Sequence, residues 1–70
     1  MNEQEFQDAL RELLEQAAEA DLSEVNVPRA LKKITRVRTL AELGVLTSNA
    51  GLVVRTLNGS EFQITVVRNR

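Results

Sequence analysis

The sequence predicts an α+β fold in two layers: two helices followed by a C-terminal antiparallel β-hairpin. Three observations carry this. Residues 3–20 place apolar side chains at helical spacing, a second helical pattern begins at Pro28, and two β-rich runs flank Asn58-Gly59. The chain has 70 residues and is expected to be one domain.

The first helix is expected over 3–20. Asn2 can cap it, and Glu5 three residues on completes a capping-box pattern. Phe6, Leu10, Leu13, Ala17 and Ala20 step by four and three along one face, widened by Leu14 and Ala18. The stretch "DLSEVNV", 21–27, carries Asp, Ser and Asn, which favour turns over helix interiors. Pro28 then suits the first position of a second helix, expected over 28–36. Ala30, Leu31, Ile34, Val37 and Ala41 fall near a 3.6 period, although Ile34, Thr35, Val37 and Thr39 are β-branched and weaken a helix. A short turn at 40–43 follows, capped by Thr39 with Glu42 three residues on. Gly44 serves as its stop, because it accepts positive φ without strain.

After the loop "LTSNAG", 46–51, strands are expected over 52–57 and 61–68. Phe62, Ile64 and Val66 alternate with Glu61, Gln63 and Thr65. A two-residue Asn-Gly turn would pair Leu57 with Ser60 and set Arg55 beside Phe62. A three-residue loop with Gly59 as a bulge pairs Thr56 with Ser60, sets Leu52 and Val54 beside Ile64 and Phe62, and places Arg55 opposite Glu61. The second satisfies more neighbours and is preferred.

The composition excludes several chemistries. With no Cys and no His, no disulfide and no ordinary zinc site is available. No cofactor is expected, since Gly44, Gly51 and Gly59 match no phosphate-loop pattern. Ser23, Ser48 and Ser60 have no His to act as base, so the chain is expected not to be an enzyme. No run approaches the length of a membrane span, and the expected location is the cytoplasm. Residues 39–59 have a passing look of a helix-turn-helix. However, Ala41 to Gly44 is three residues where four is usual, and the would-be second helix runs into the hairpin. From the compact length and the order of elements, the chain is expected to be a whole small gene product.

A domain this small is marginally stable and needs a staple, and the hairpin leaves strand edges open. A homodimer that joins the hairpins at an edge would supply one. Charge is strongly segregated. Residues 1–24 sum to −7 and residues 25–70 to +6, although the whole chain is only −1. "VPRALKKITRVR", 27–38, holds five cations and no acid. The leading expectation is that its helix lies against the first, its cations meeting Glu12, Glu15 and Glu19. The function expected is a non-enzymatic protein-interaction module, a regulator, adaptor or inhibitor. Glu12, Glu15 and Glu19 are the candidate residues for a protein partner. The alternative is a nucleic-acid-binding protein using Arg29, Lys32, Lys33, Arg36, Arg38, Arg68 and Arg70. The scarcity of aromatics (Phe6 and Phe62 only) counts against single-strand stacking.

Overall fold

The computed structural model describes residues 1–21, 23, 25–45 and 48–69. One α-helix, α1 (Glu3–Glu19), is followed by a 3₁₀ turn, Arg29–Lys33, and three strands: β1 (Ile34–Thr39), β2 (Ala50–Thr56) and β3 (Glu61–Val66). The strands form an antiparallel meander in the order β1-β2-β3. The architecture is thus α+β, but it is one helix on a three-stranded sheet, not two helices and a two-stranded hairpin.

The correction lies at 28–36. Pro28 is not the first helical residue but the extended residue before it, at ψ 131°; the helical turn runs only from Arg29 to Lys33, and Ile34 is already extended at φ −70° and ψ 128°. From there the chain pairs with β2. Ile34 lies opposite Thr56 and Arg36 opposite Arg55, so Thr35 is an extra, bulged residue. That bulge resolves the misleading periodicity. Ile34 and Val37 are three apart, which in a regular strand would put them on opposite faces. With Thr35 bulged, both face α1. Helical spacing and strand burial coincide here, and burial of Val37 against Leu14, Leu52 and Val54 favours the strand.

The capping box of α1 is complete. Asn2 Oδ1 accepts from the Glu5 backbone N–H at 2.7 Å, and the Asn2 N–H donates to Glu5 Oε1 at 3.1 Å. The helix is rotated from the face its apolar spacing suggests. Gln7, Leu14 and Ala17 are buried, while Phe6 is 49% and Leu13 60% exposed. Gln7 explains the rotation. Its Oε1 accepts from the Gly51 N–H at 2.9 Å and its Nε2 donates to Asp8 Oδ1 at 3.0 Å, so both ends of the buried amide are satisfied.

The hairpin takes the register with the three-residue loop. Leu52 faces Ile64, Val54 faces Phe62 and Arg55 faces Glu61, and the Thr56 N–H donates to the Ser60 carbonyl at 2.9 Å. Gly59 has φ +86°, a left-handed geometry that glycine adopts without strain. Between β1 and β2, Thr39 and Glu42 cap a tight turn reciprocally. The Glu42 N–H donates to Thr39 Oγ1 at 3.1 Å, and the Thr39 N–H to Glu42 Oε1 at 2.9 Å. Gly44 closes that turn at φ +74°.

Candidate functional site

The pleat sorts the sheet into two faces. Val37, Thr39, Leu52, Val54, Phe62 and Ile64 point toward α1. Arg36, Arg38, Val53, Arg55, Glu61 and Gln63 point away from it. The helix packs against β1 and β2 far more than against β3. Two surfaces result.

The first is a groove of about 640 Å³ on the helix side, lined by Leu14, Leu31, Ile34, Val54, Phe62 and Ile64. A second hollow, which shares Ile64 with it, lies toward the start of α1 and is lined by Phe6, Ile64, Val66 and Val67. Phe62 is 59% exposed even though its cross-strand partner Val54 is buried. Beside this groove runs the outer edge of β3. Its backbone direction follows from Gly51, whose N–H goes to Gln7 and whose carbonyl accepts from the Leu40 N–H at 3.0 Å. Gly51 therefore turns its polar groups away from β3. Its partner Thr65 turns its own outward, as do Gln63 and Glu61 by alternation.

The second surface is the sheet face opposite α1. Across the strands it reads Arg36–Arg55–Glu61 in one row and Arg38–Val53–Gln63 in the next. No ion pair among the described residues involves Arg36, Arg38 or Arg55.

The charged residues singled out by sequence separate in space. Arg29, Lys32 and Lys33 sit on the 3₁₀ turn, and Arg36 and Arg38 on the outer sheet face. Arg68 borders the groove near Phe6, on the helix side. Arg70 lies outside the described residues, as do Leu22, Glu24, Leu46 and Thr47 of the two connecting segments. Lys32 Nζ donates to the Asp21 carbonyl at 2.8 Å. The expected pairing of the basic run with α1 is not what the fold builds. No ion pair among the described residues joins Arg29, Lys33, Arg36 or Arg38 to Glu12, Glu15 or Glu19. Arg11 of α1 instead takes Glu15 at 3.6 Å and Glu42 at 3.0 Å. Glu12 accepts from Gln16, and Glu12, Glu15 and Glu19 are all exposed. Sequence reasoning missed Arg55, which stood only as a partner of Glu61. Its place beside Arg36 becomes visible only once β1 joins the sheet.

Glu42 ties these parts together. Its carboxyl is held below the ordinary 4.5, first by the Thr39 backbone N–H and further by the Arg11 and Arg38 charges, with partial desolvation opposing. A folded value below the unfolded one means a stabilising contribution that is present above that ordinary value and lost as pH falls through the lowered one. Glu42→Gln is accordingly expected to lower the thermal midpoint at neutral pH and to show a smaller further drop on acidification than the parent. Thermal melts followed by circular dichroism at several pH values check this, and identical pH profiles would refute it.

Among the described residues no group of three acidic, His or Cys side chains could hold a metal ion, and no helix is long and apolar enough to cross a membrane. Fold and surfaces define a small α+β protein of one helix on a three-stranded meander, with an open apolar groove on one side and an arginine-bearing sheet face on the other. No protein family matches the chain, and neither a curated protein nor a solved structure matches it.

Proposed function

We propose that this is a non-enzymatic protein-interaction module, a regulator, adaptor or inhibitor, that engages its partner by strand addition at the outer edge of β3. The observation that carries this reading is the coincidence of outward-facing backbone groups at Glu61, Gln63 and Thr65 with the uncovered apolar face of the same strand. A strand laid along that edge would gain main-chain hydrogen bonds, and its alternate side chains would enter the groove beside Phe62 and Ile64. Glu12, Glu15 and Glu19, exposed on α1, add charges that steer approach from the helix side. The absence of Cys fits a reducing compartment, and the cytoplasm is the proposed location.

A second copy of the chain satisfies the same site. Two β3 strands related by a two-fold axis at Ile64 would set Phe62 against Val66 and Gln63 against Thr65 of the other copy, giving a six-stranded sheet with three strands from each copy. The homodimer is therefore part of the proposal, with the edge moved from a two-stranded hairpin to a full sheet.

Thr65→Pro is the decisive variant. Proline removes an outward N–H and leaves the β2-facing bonds of Phe62 and Ile64 in place, so an edge position tolerates it. The parent should bind a peptide copying residues 60–68, with the Gln63 and Thr65 amides protected from hydrogen exchange, and should sediment as a dimer at high micromolar concentration. The variant should keep its far-ultraviolet spectrum and lose at least about tenfold in peptide affinity, roughly the loss of one to two net hydrogen bonds. A parent that neither binds the peptide nor self-associates would rule out strand addition.

A further inference from the structure

We infer that the sheet face opposite α1 is a binding site for the backbone and major groove of a DNA duplex, with Arg36, Arg38 and Arg55 as the phosphate contacts. The arginines of this site lie on β1 and β2 rather than on the β3 edge, and the assignment does not depend on the reading above.

The argument starts from an unfavourable placement. Arg36 and Arg55 are direct cross-strand partners, and Arg38 follows on the same face. Like charges directly opposite destabilise a sheet. None of the three has an ion-pair partner among the described residues, and only Arg38 lies near enough to Glu42 to lower its pKa. Glu61, across from Arg55, is the one acid in these rows and forms no ion pair with it. The chain's acids are concentrated on α1, behind the sheet, and Glu42 is already taken by Arg11 and Thr39. The bulge at Thr35 is what keeps Ile34 in the core while bringing Arg36 to the outer face in line with Arg38. The three arginines, with Val53, Leu43 and Glu61, border a shallow hollow.

The chemistry of the face selects the ligand. Guanidinium forks match phosphate oxygens bidentately and stay charged at any working pH. Both phenylalanines, Phe6 and Phe62, lie on the helix side, so the face has no aromatic platform on which single-stranded bases could stack. The roughly 12 Å major groove of B-form DNA admits a two-stranded β-ribbon, and β1 and β2, which carry all three arginines, are such an antiparallel pair; the A-form RNA major groove is too narrow for side chains to read. Gln63, exposed beside Val53, supplies an amide suited to a base edge. The acidic helix behind the sheet would be repelled by phosphate, which orients the protein with this face inward.

Fluorescence anisotropy with a short random DNA duplex, at about 50 and 200 mM salt, tests the inference. Three phosphate contacts predict affinity falling about 40-fold over that range. The double variant Arg36→Gln/Arg55→Gln should reduce that dependence to only about 3- to 4-fold, as one remaining contact requires. It should also melt no lower than the parent, because a repulsive pair has been removed. Arg29→Gln/Lys33→Gln changes net charge equally, away from the face, and should keep the parent salt dependence. No binding at the lower salt, tighter binding to single-stranded DNA or duplex RNA, equal losses in both double variants, or equal competition by an acidic peptide would each overturn the assignment.

Discussion

Leu52→Ala is expected to destabilise the protein by about 3–4 kcal/mol, within the roughly 2–5 kcal/mol typical of Leu→Ala at buried sites. Leu52 is 0% exposed and is the largest side chain fully enclosed by its surroundings. It stands at the centre of β2, between Thr39 on one side and Ile64 on the other, beneath the helix that brings Leu14. Because β2 is the middle strand, no edge can relax inward to fill the void. A domain of this length has about 4–10 kcal/mol in all, so the variant should lose about 30% of it or more. Urea unfolding reports the difference directly. A midpoint shift with unchanged slope is expected, and a loss below about 1 kcal/mol would show that the core is not organised around this residue.

Gly51→Ala is the second. Strand propensity alone predicts a gain, because glycine weakens a strand interior. The packing predicts the opposite sign. A Cβ at Gly51 would collide with the Ile64 carbonyl oxygen and stand 2.7 Å from Leu40 Cδ1. The first obstacle is backbone, so relief requires β2 and β3 to shift, and the same shift would stretch the bond from the Gly51 N–H to Gln7. Overpacking of this kind costs about 1–3 kcal/mol, and weakening a buried amide contact adds to it. Thermal unfolding should show a clear drop in midpoint. A midpoint equal to or above the parent's would mean that β2 and β3 separate freely there, and the rigid edge invoked for strand addition would lose its support.

These two residues connect the core to both surfaces. Leu52 holds the sheet beneath α1, and Gly51 lets Leu40 close over the outer face at one end while Gln7 pins the helix from the other side. The helix is thereby fixed over β1 and β2, and the inner face of β3 stays open. The outer face stays uncovered because the chain has only one α-helix to pack against the sheet among its described residues.

What the sequence determined by itself was local. The capping box at Asn2 and Glu5 starts α1, and both partners lie within three residues. Asn58-Gly59 and the alternation of Phe62, Ile64 and Val66 set the hairpin and its register, since one face alone could be buried. Thr39, Glu42 and Gly44 formed their turn for the same reason. The tertiary structure decided everything that required a distant partner. Residues 28–39 carry two competing patterns: apolar steps of three at Leu31, Ile34 and Val37, and alternation through Arg36, Val37, Arg38 and Thr39. Only the free side of β2 and the underside of α1 could choose between them. A single bulged residue, Thr35, reconciled the choice with the core. The helix face turned toward Gln7, because a polar side chain 44 residues from its Gly51 partner has no local signal. The same holds for the arginine cluster. Arg36 and Arg38 were visible as part of a basic run, but Arg55 joined them only when antiparallel pairing brought residues 19 apart in sequence to adjacent positions on one face.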